Sequence, residues 1–355
     1  MHNFAQSPGL KHCRAFVNGI NMHYVLAGPL AAPPVVLIHG WPETWYAWRK
    51  QIPVLSQKYR LIVPDLRGYG NRNCSSRRMP SYAVMFRTGT TDKPATGYDK
   101  RNMAKDIKEL IELLGYKKVV MIGHDRGARV TTRFAKDHPH MLDRICTMDN
   151  IPTRIVFESM NGRGGDVGLK VSPGALAKGY WFFLFNQVMD LPEALITGRE
   201  EIWLRHWYVI PTHQTLAPLR TVHLLFNACI ADAWFRLSGW SFNRELFSDE
   251  EVAEYVKAYS QPGALRGCFN DYRAAPEDTA QDLEDAHVLI KCPILTMWGA
   301  DFEPVGKMFD VEAVWKTMGN LVRAVPLPEC GHLPQEEQPE LVNAELLEYL
   351  KDWQG

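Results

Sequence analysis

The chain has 355 residues, which is enough for one large domain or for a domain that carries a sizeable insertion. Its 40 basic side chains balance its 40 acidic ones, so no bulk charge draws it to nucleic acid or to an anionic membrane. A hydrophobic content of 46% supplies a large core, and no apolar stretch is long enough to cross a bilayer.

Short apolar runs alternate with helical patterns along most of the chain. Asn18-Gly19 between alternating segments favours a β-hairpin with a type I′ turn. Buried strands are predicted in "PPVVLIHG", "YRLIVPDLRG", "KKVVMIG", "RICTMDN", "CPILTMWGA" and "VRAVPLPECGH". Amphipathic helices are predicted in "NMAKDIKELIELLGY" and "ARVTTRFAKDHP". The alternation predicts an α/β domain with a mostly parallel sheet and helices on both faces.

The segment between Asp149 and Cys292 has a different pattern, aromatic and helical without a strand rhythm. We interpret it as a helical cap inserted before the last two strands. The expected domains are therefore a first part of the α/β core at residues 1–149, a cap at 150–290 and the last part of the core at 291–355.

Polar residues follow the predicted strands at the points where the strands end. They are His39, Asp65, Asp125, Asp149, Asp301 and His332. In an open parallel sheet the ligand lies beyond the carboxyl ends of the strands, so we expect the functional site there.

The central motif is "GHDRG" at residues 123–127, which fits the pattern G-x-nucleophile-x-G between a strand and a helix. The nucleophile is Asp125, and a carboxylate is already ionised at neutral pH. Its attack on a saturated carbon gives a stable alkyl ester, so the motif predicts opening of an epoxide or displacement of a halide. His332 is predicted to activate the water that hydrolyses the ester. Backbone N–H groups of Trp41 and Arg126 are predicted to stabilise the oxyanion.

Together with "HGWPETWYAWRKQIPVL", "VPDLRGYG", "MDNIPT", "GCFNDYRA" and "CGHLPQEEQPE", this motif resembles the α/β-hydrolase-fold epoxide hydrolases and haloalkane and haloacetate dehalogenases. The DRGxR sequence is similar to the fluoroacetate dehalogenase branch. That resemblance implies an α/β-hydrolase fold and binding of a haloacetate carboxylate by Arg126 and Arg129. The alternative is that one arginine pairs with a structural acid such as Asp65 or Asp149.

Two acids are candidates to orient His332. Asp149 matches the dehalogenase pattern and is favoured. Asp301 matches many epoxide hydrolases, but it is alternatively a helix-capping or turn residue. The resemblance makes Tyr272 the cap tyrosine that donates a hydrogen bond to an epoxide oxygen or a halide. Its alternative is a core tyrosine.

The aromatic stretch departs from the fluoroacetate dehalogenase pattern, in which a histidine and a tryptophan that hold fluoride follow a Tyr-Trp pair. Here Tyr180-Trp181 is followed by Phe182 and Phe183, which have no N–H to donate. Defluorination is therefore not expected, although a two-residue register shift would place Tyr180 and Trp181 in those positions. We expect Trp181, Phe182 and Phe183 to line the substrate site.

Three segments interrupt the resemblance, at residues 71–91, 162–175 and 208–237. The first two are predicted loops and the third is apolar enough for a cap helix. We interpret them as recent insertions or translated intron sequence, with genuine cap elaborations as the alternative.

The sequence thus predicts a cofactor-independent hydrolase of a small molecule, with 2-haloacid dehalogenation slightly ahead of epoxide hydrolysis. An inactive ligand-binding protein on the same fold is the alternative from another class. No metal site is expected, because the 12 histidines show no H-x-x-x-H spacing. Seven scattered cysteines and no leader pattern favour a cytoplasmic setting, and a homodimer is left open.

Overall fold

The computed structural model describes residues 9–70, 91–162, 168–208, 240–243 and 245–355. The three predicted interruptions lie partly outside these residues: most of 71–91, most of 208–237 and part of 162–175. The cap helix that we predicted in the third interruption therefore lies outside the described residues.

An eight-stranded sheet forms the centre of the described structure, in the order β1-β2-β4-β3-β5-β6-β7-β8. The pairs β1–β2 and β2–β4 are antiparallel, and all the others are parallel. The strands are β1 (Lys11–Val17), β2 (Ile20–Ala27), β3 (Pro34–Ile38), β4 (Arg60–Pro64), β5 (Val119–His124), β6 (Leu142–Met148), β7 (Ile294–Gly299) and β8 (Val322–Leu327). Every residue of β3 and β5 is buried, as expected of central strands covered on both faces.

The predicted hairpin is confirmed. Asn18 and Gly19 join β1 to β2 with φ values of 44° and 78°. A type I′ turn requires positive φ at both central residues, and the Asn-Gly pair tolerates this conformation best.

Most helices lie between consecutive strands along the chain, and the last two follow β8. They are α1 (Ile52–Leu55), α2 (Lys100–Leu113), α3 (Arg126–Asp137), α4 (Thr153–Met160), α5 (Pro173–Gly179), α6 (Trp181–Phe185), α7 (Leu191–Ile196), α8 (Glu200–Tyr208), α9 (Asp249–Tyr259), α10 (Ala264–Arg273), α11 (Ala275–Glu284), α12 (Val311–Lys316), α13 (Pro334–Glu337) and α14 (Pro339–Leu350). The two amphipathic helices predicted from periodicity correspond to α2 and α3.

The described residues between β6 and β7 form helices α4 to α11, in the region where the sequence predicts a cap. The exact domain limits at 149/150 and 290/291 stay a prediction. Within the described ranges, no helix is long and apolar enough to cross a bilayer.

Helix α3 starts in direct contact with β3, which places the beginning of the helix at the carboxyl end of the central strands. A Cβ atom on Gly127 would lie 2.4 Å from the carbonyl oxygens of both Ile38 and His39. Real Cβ atoms do not approach backbone oxygens this closely, so only glycine allows the helix to lie here.

We expect Gly127→Ala to lower the free energy of unfolding by about 2 kcal/mol or more, because rigid backbone must move to admit the methyl group. Gly174→Ala is the matched control: no heavy atom lies within 4 Å of its added Cβ. That variant should keep wild-type stability within about 1 kcal/mol. Chemical denaturation measures both, and equal stabilities would contradict this account of the contact.

Candidate active site

Asp125 lies at the sharp turn between β5 and α3, where the sequence motif places the nucleophile. Its backbone has φ 43° and ψ −111°, a strained conformation for a residue with a side chain. A Cβ on Gly123 would lie 2.5 Å from the carbonyl oxygen of Gly127, so glycine is required on the strand side of the turn as well. The turn leaves 14% of the Asp125 side chain exposed.

The loop after β3 approaches Asp125 closely. The backbone N–H of Trp41 donates a hydrogen bond to Oδ2 of Asp125 at 3.1 Å. A Cβ on Gly40 would lie 2.7 Å from the Cβ of Asp125, so this loop comes near because Gly40 has no side chain. Arg126, the second residue predicted to donate its N–H, is the first residue of α3.

His332 lies beside both Asp125 and Asp149. Its Nδ1 lies 2.5 Å from Oδ2 of Asp149, and its Nε2 lies 3.9 Å from Oδ2 of Asp125. Asp149 is itself oriented by the backbone N–H of Gly299, which donates to Oδ1 at 3.0 Å. Of the two acids left open by the sequence, Asp149 is therefore the one in contact with the imidazole.

Asp301 lies elsewhere. Its side chain is exposed and pairs with Lys307 at 2.8 Å, and it accepts a hydrogen bond from the backbone N–H of Glu329 at 3.1 Å. This is the turn-residue alternative that the sequence offered for this acid.

The charges of this group are strongly coupled. Burial alone would lower the pKa of His332, but the carboxylates of Asp125 and Asp149 raise it to about 10. Burial would raise the pKa of Asp125, but His332, His124 and Arg126 hold it well below its usual range. Burial raises the pKa of Asp149 above its usual value, and His332 opposes that rise. At neutral pH these shifts favour a charged imidazole between the two acids.

Arg126 pairs with a structural acid, as the alternative interpretation of the sequence allowed, but that acid is neither Asp65 nor Asp149. Its buried guanidinium contacts Asp271 of α10 instead, with Nη2 2.5 Å from Oδ1. The guanidinium carbon also lies 4.5 Å from the ring centre of Tyr272.

Arg129 lies one helical turn after Asp125 and is 6% exposed. It donates from Nη1 to the hydroxyl of Thr153, and its guanidinium carbon lies 5.2 Å from the ring centre of Phe183. Within the described part of the chain, no carboxylate lies within 4 Å of this guanidinium, and its Nε has no hydrogen-bond partner.

Tyr272 is fully buried, and its hydroxyl finds no hydrogen-bond partner among the described residues. Its ring packs against Trp41 at 5.3 Å and Phe183 at 5.1 Å between ring centres. Burial, followed by the nearby charge of Asp125, raises its pKa well above the ordinary value, so the hydroxyl keeps its proton at neutral pH.

A small pocket of about 20 Å³ opens beside Asp125, which is room for about one water-sized group. Its lining is mixed, with charged groups on the core side and aromatic rings on the cap side. The lining residues are Asp125, Arg129, Asp149, Asn150, Ile151, Tyr180, Phe182, Phe183, Phe302, Pro304, Val305 and His332. Trp181 is absent from this lining; it is 40% exposed and stacks on Trp207.

A second group of polar residues, Glu43 and His124, links the loops on either side of the site. The sequence did not assign either of them to the site. Nδ1 of His124 lies 2.8 Å from Glu43, and its Nε2 lies 2.7 Å from the carbonyl oxygen of His332. Glu43 also accepts a hydrogen bond from the backbone N–H of Gly40 at 2.7 Å. Glu43 and His124 thus connect the loop of Trp41 to the loop of His332. In the sequence, the acidic residue of "HGWPE" was the feature from which Glu43 could have been predicted.

Residues 33–165 match the family model of the α/β hydrolase fold. The chain is 31% identical over 336 residues to a soluble epoxide hydrolase of Corynebacterium sp. (strain C12), covering 95% of this chain and 96% of that protein. It is 27% identical to a fluoroacetate dehalogenase of Burkholderia sp., covering 95% and 92%. The solved structure of the epoxide hydrolase CorEH superposes with a TM-score of 0.73 at 30% identity, covering 96% of this chain and 99% of that one.

Fold and site together define a hydrolase with the α/β-hydrolase fold. The chain belongs to the α/β-hydrolase-fold family that includes soluble epoxide hydrolases and fluoroacetate dehalogenase.

The raised pKa of His332 predicts a pH-dependent difference in stability between the wild type and His332→Gln. A histidine whose pKa is higher in the folded state stabilises that state fully below its ordinary pKa of 6.5, and this stabilisation is lost as the pH rises through about 10. Denaturant unfolding at several pH values should show the difference in free energy of unfolding shrinking between these limits. His287→Gln, at an exposed position, is the control. A difference that stays constant or grows would contradict the assignment of a charged His332.

Proposed function

We propose that this protein hydrolyses its substrate through an alkyl ester on Asp125, with His332 activating the water and Asp149 orienting the imidazole. The arrangement at the turn between β5 and α3 supports this proposal. Oδ2 of Asp125 accepts a hydrogen bond from Trp41, and Oδ1 has no hydrogen-bond donor within the described ranges. Oδ1 is therefore the oxygen available to attack carbon.

In the first step, Oδ1 attacks a saturated carbon, the new C–O bond forms, and the bond to the leaving group breaks with its electron pair. The buried hydroxyl of Tyr272 is the donor that stabilises the leaving halide or epoxide oxygen. Ester formation removes the negative charge of Asp125. Because that charge helps to raise the pKa of His332, its loss lowers the pKa, so the imidazolium releases its proton to solvent and the neutral imidazole becomes a base.

In the second step, the neutral imidazole takes a proton from water while the water oxygen attacks the carboxyl carbon of Asp125. Asp149, held by Gly299, stabilises the imidazolium that results. The oxyanion lies near the backbone N–H groups of Trp41 and Arg126. Collapse breaks the bond to the substrate oxygen, the imidazolium gives its proton to that oxygen, and the alcohol product leaves. The Asp125 carboxyl group then passes its proton to His332, which restores the carboxylate and the imidazolium.

For the substrate we favour a small 2-haloacid carrying chloride or bromide. The observation that carries this choice is Arg129, a buried cation on the pocket wall with no acid partner among the described residues. A buried charge without a counterion is costly, so a substrate carboxylate is the natural partner. The phenylalanines at 182 and 183 supply no N–H for fluoride.

Epoxide hydrolysis is the second candidate. Tyr272 suits an epoxide oxygen as well as a halide, and the relative with 31% identity is named a soluble epoxide hydrolase. The aromatic part of the pocket lining, with Phe182, Phe183 and Phe302, also suits an apolar substrate.

The ester should persist when the base is removed. We expect His332→Gln, incubated with bromoacetate or chloroacetate, to gain the mass of one carboxymethyl group, which peptide mapping should locate on Asp125. Fluoroacetate should give no adduct, because fluoride leaves poorly without additional donors. An adduct with styrene oxide alone would assign the protein to the epoxide hydrolases.

Asp125→Asn is the matched control for this experiment, since it keeps the shape of the side chain and removes the nucleophile. It should remain unlabelled with every reagent. Labelling of this variant, or no adduct on folded His332→Gln with any reagent, would contradict the proposed ester.

A further inference from the structure

Arg126 and Arg129 both point toward the site from α3, yet their surroundings differ. Two nitrogen atoms of Arg126 contact Oδ1 of Asp271, Nη2 at 2.5 Å and Nε at 3.2 Å. Nη2 also donates to the backbone carbonyl of Asp271 at 2.7 Å. Both side chains are fully buried, so this ion pair is shielded from water. Only Nη1 of Arg126 remains without a partner among the described residues.

Asp271 belongs to a buried cluster whose charges balance. It also contacts the ammonium of Lys100 and accepts a hydrogen bond from the hydroxyl of Tyr69 at 2.7 Å. Lys100 contacts a second acid, Asp278, at 3.3 Å. Two cations and two acids thus neutralise one another, and the positive charge of Arg126 is used within this cluster.

Arg129 has no such acid. Its contact is the neutral hydroxyl of Thr153, and it lines the pocket beside Asp125. The two arginines of the motif are therefore chemically unequal among the described residues: Arg126 forms a direct ion pair with an acid, whereas Arg129 forms none and has Asp125 as an acid on the same pocket wall.

We propose that Asp271 is a specificity-determining residue, which neutralises Arg126 and leaves Arg129 as the cation that recognises a substrate carboxylate. This inference rests on the proposed function. Asp271 touches neither the nucleophile nor the pocket lining, so it acts through Arg126 and sets how strongly the site prefers an acid over a neutral analogue.

The test compares bromoacetate with bromoacetamide, which has the same reacting carbon and no charge. Asp271→Asn should lower KM for bromoacetate about tenfold, because Arg126 and Lys100 lose their shared counterion, and leave KM for bromoacetamide unchanged. Tyr69→Phe is the matched control: it removes the hydroxyl that donates to Asp271 and leaves every charge of the cluster in place. Its ratio of the two KM values should equal that of the wild type.

A second variant keeps the inference testable if Asp271→Asn does not fold. Arg129→Gln should abolish the preference for bromoacetate over bromoacetamide, although Arg126 is intact. A preference of about tenfold or more that survives in Arg129→Gln would overturn the inference, because it would show that Arg126 recognises the acid. Parallel changes in KM for both substrates in Asp271→Asn would also overturn it, since they indicate a purely structural role.

Binding of acetate and acetamide, measured by calorimetry on the intact protein, gives a readout that needs no turnover. We expect Asp271→Asn to bind acetate about tenfold more tightly than the wild type does, with acetamide unaffected. If no variant turns over either bromo compound, the proposed function fails while this measurement still decides the inference. If turnover persists and acetate binding is unchanged in Asp271→Asn, the inference fails alone.

Discussion

The contact between Asp125 and His332 is the interaction on which the site depends. A carboxylate at a strained turn, 14% exposed, must remain ionised to attack carbon. The imidazolium lies 3.9 Å from Oδ2 on one side and 2.5 Å from Asp149 on the other. In the proposed mechanism, the positive charge that stabilises the Asp125 carboxylate also keeps His332 from acting as a base until the ester forms. The proposed order of the two chemical steps thus follows from these charges.

The rest of the fold serves to bring these groups together. Parallel strands β5 and β6 end at Asp125 and Asp149, and the loop after β8 carries His332, so the three side chains meet at one edge of the sheet. Glu43 and His124 then connect the loops of Trp41 and His332 beneath them. From the cap, α10 contributes both Tyr272 and the acid that neutralises Arg126.

The sequence predicted the features that depend on local patterns, and among contacts between distant segments it favoured Asp149 beside His332 but did not identify the acid beside Arg126. The glycines of "GHDRG" and the strand–helix rhythm define the turn at Asp125, and "NG" defines the first hairpin. An acid partner for one of the two arginines was an alternative, with Asp65 and Asp149 as examples. The acid that pairs with Arg126 is Asp271, 145 residues away in the sequence. Trp181, predicted to line the site, is 40% exposed, because a short helix can direct only some of its aromatic side chains inward.

The most direct test of the account is a single turnover of bromoacetate in water enriched in oxygen-18, with the enzyme in excess. The account predicts that the hydroxyl oxygen of the product comes unlabelled from Asp125 and that the label enters the Asp125 carboxylate, where peptide mass spectrometry would find it. Labelled product together with an unlabelled Asp125 peptide would show direct attack by water. That result would contradict the role of Asp125 as the nucleophile.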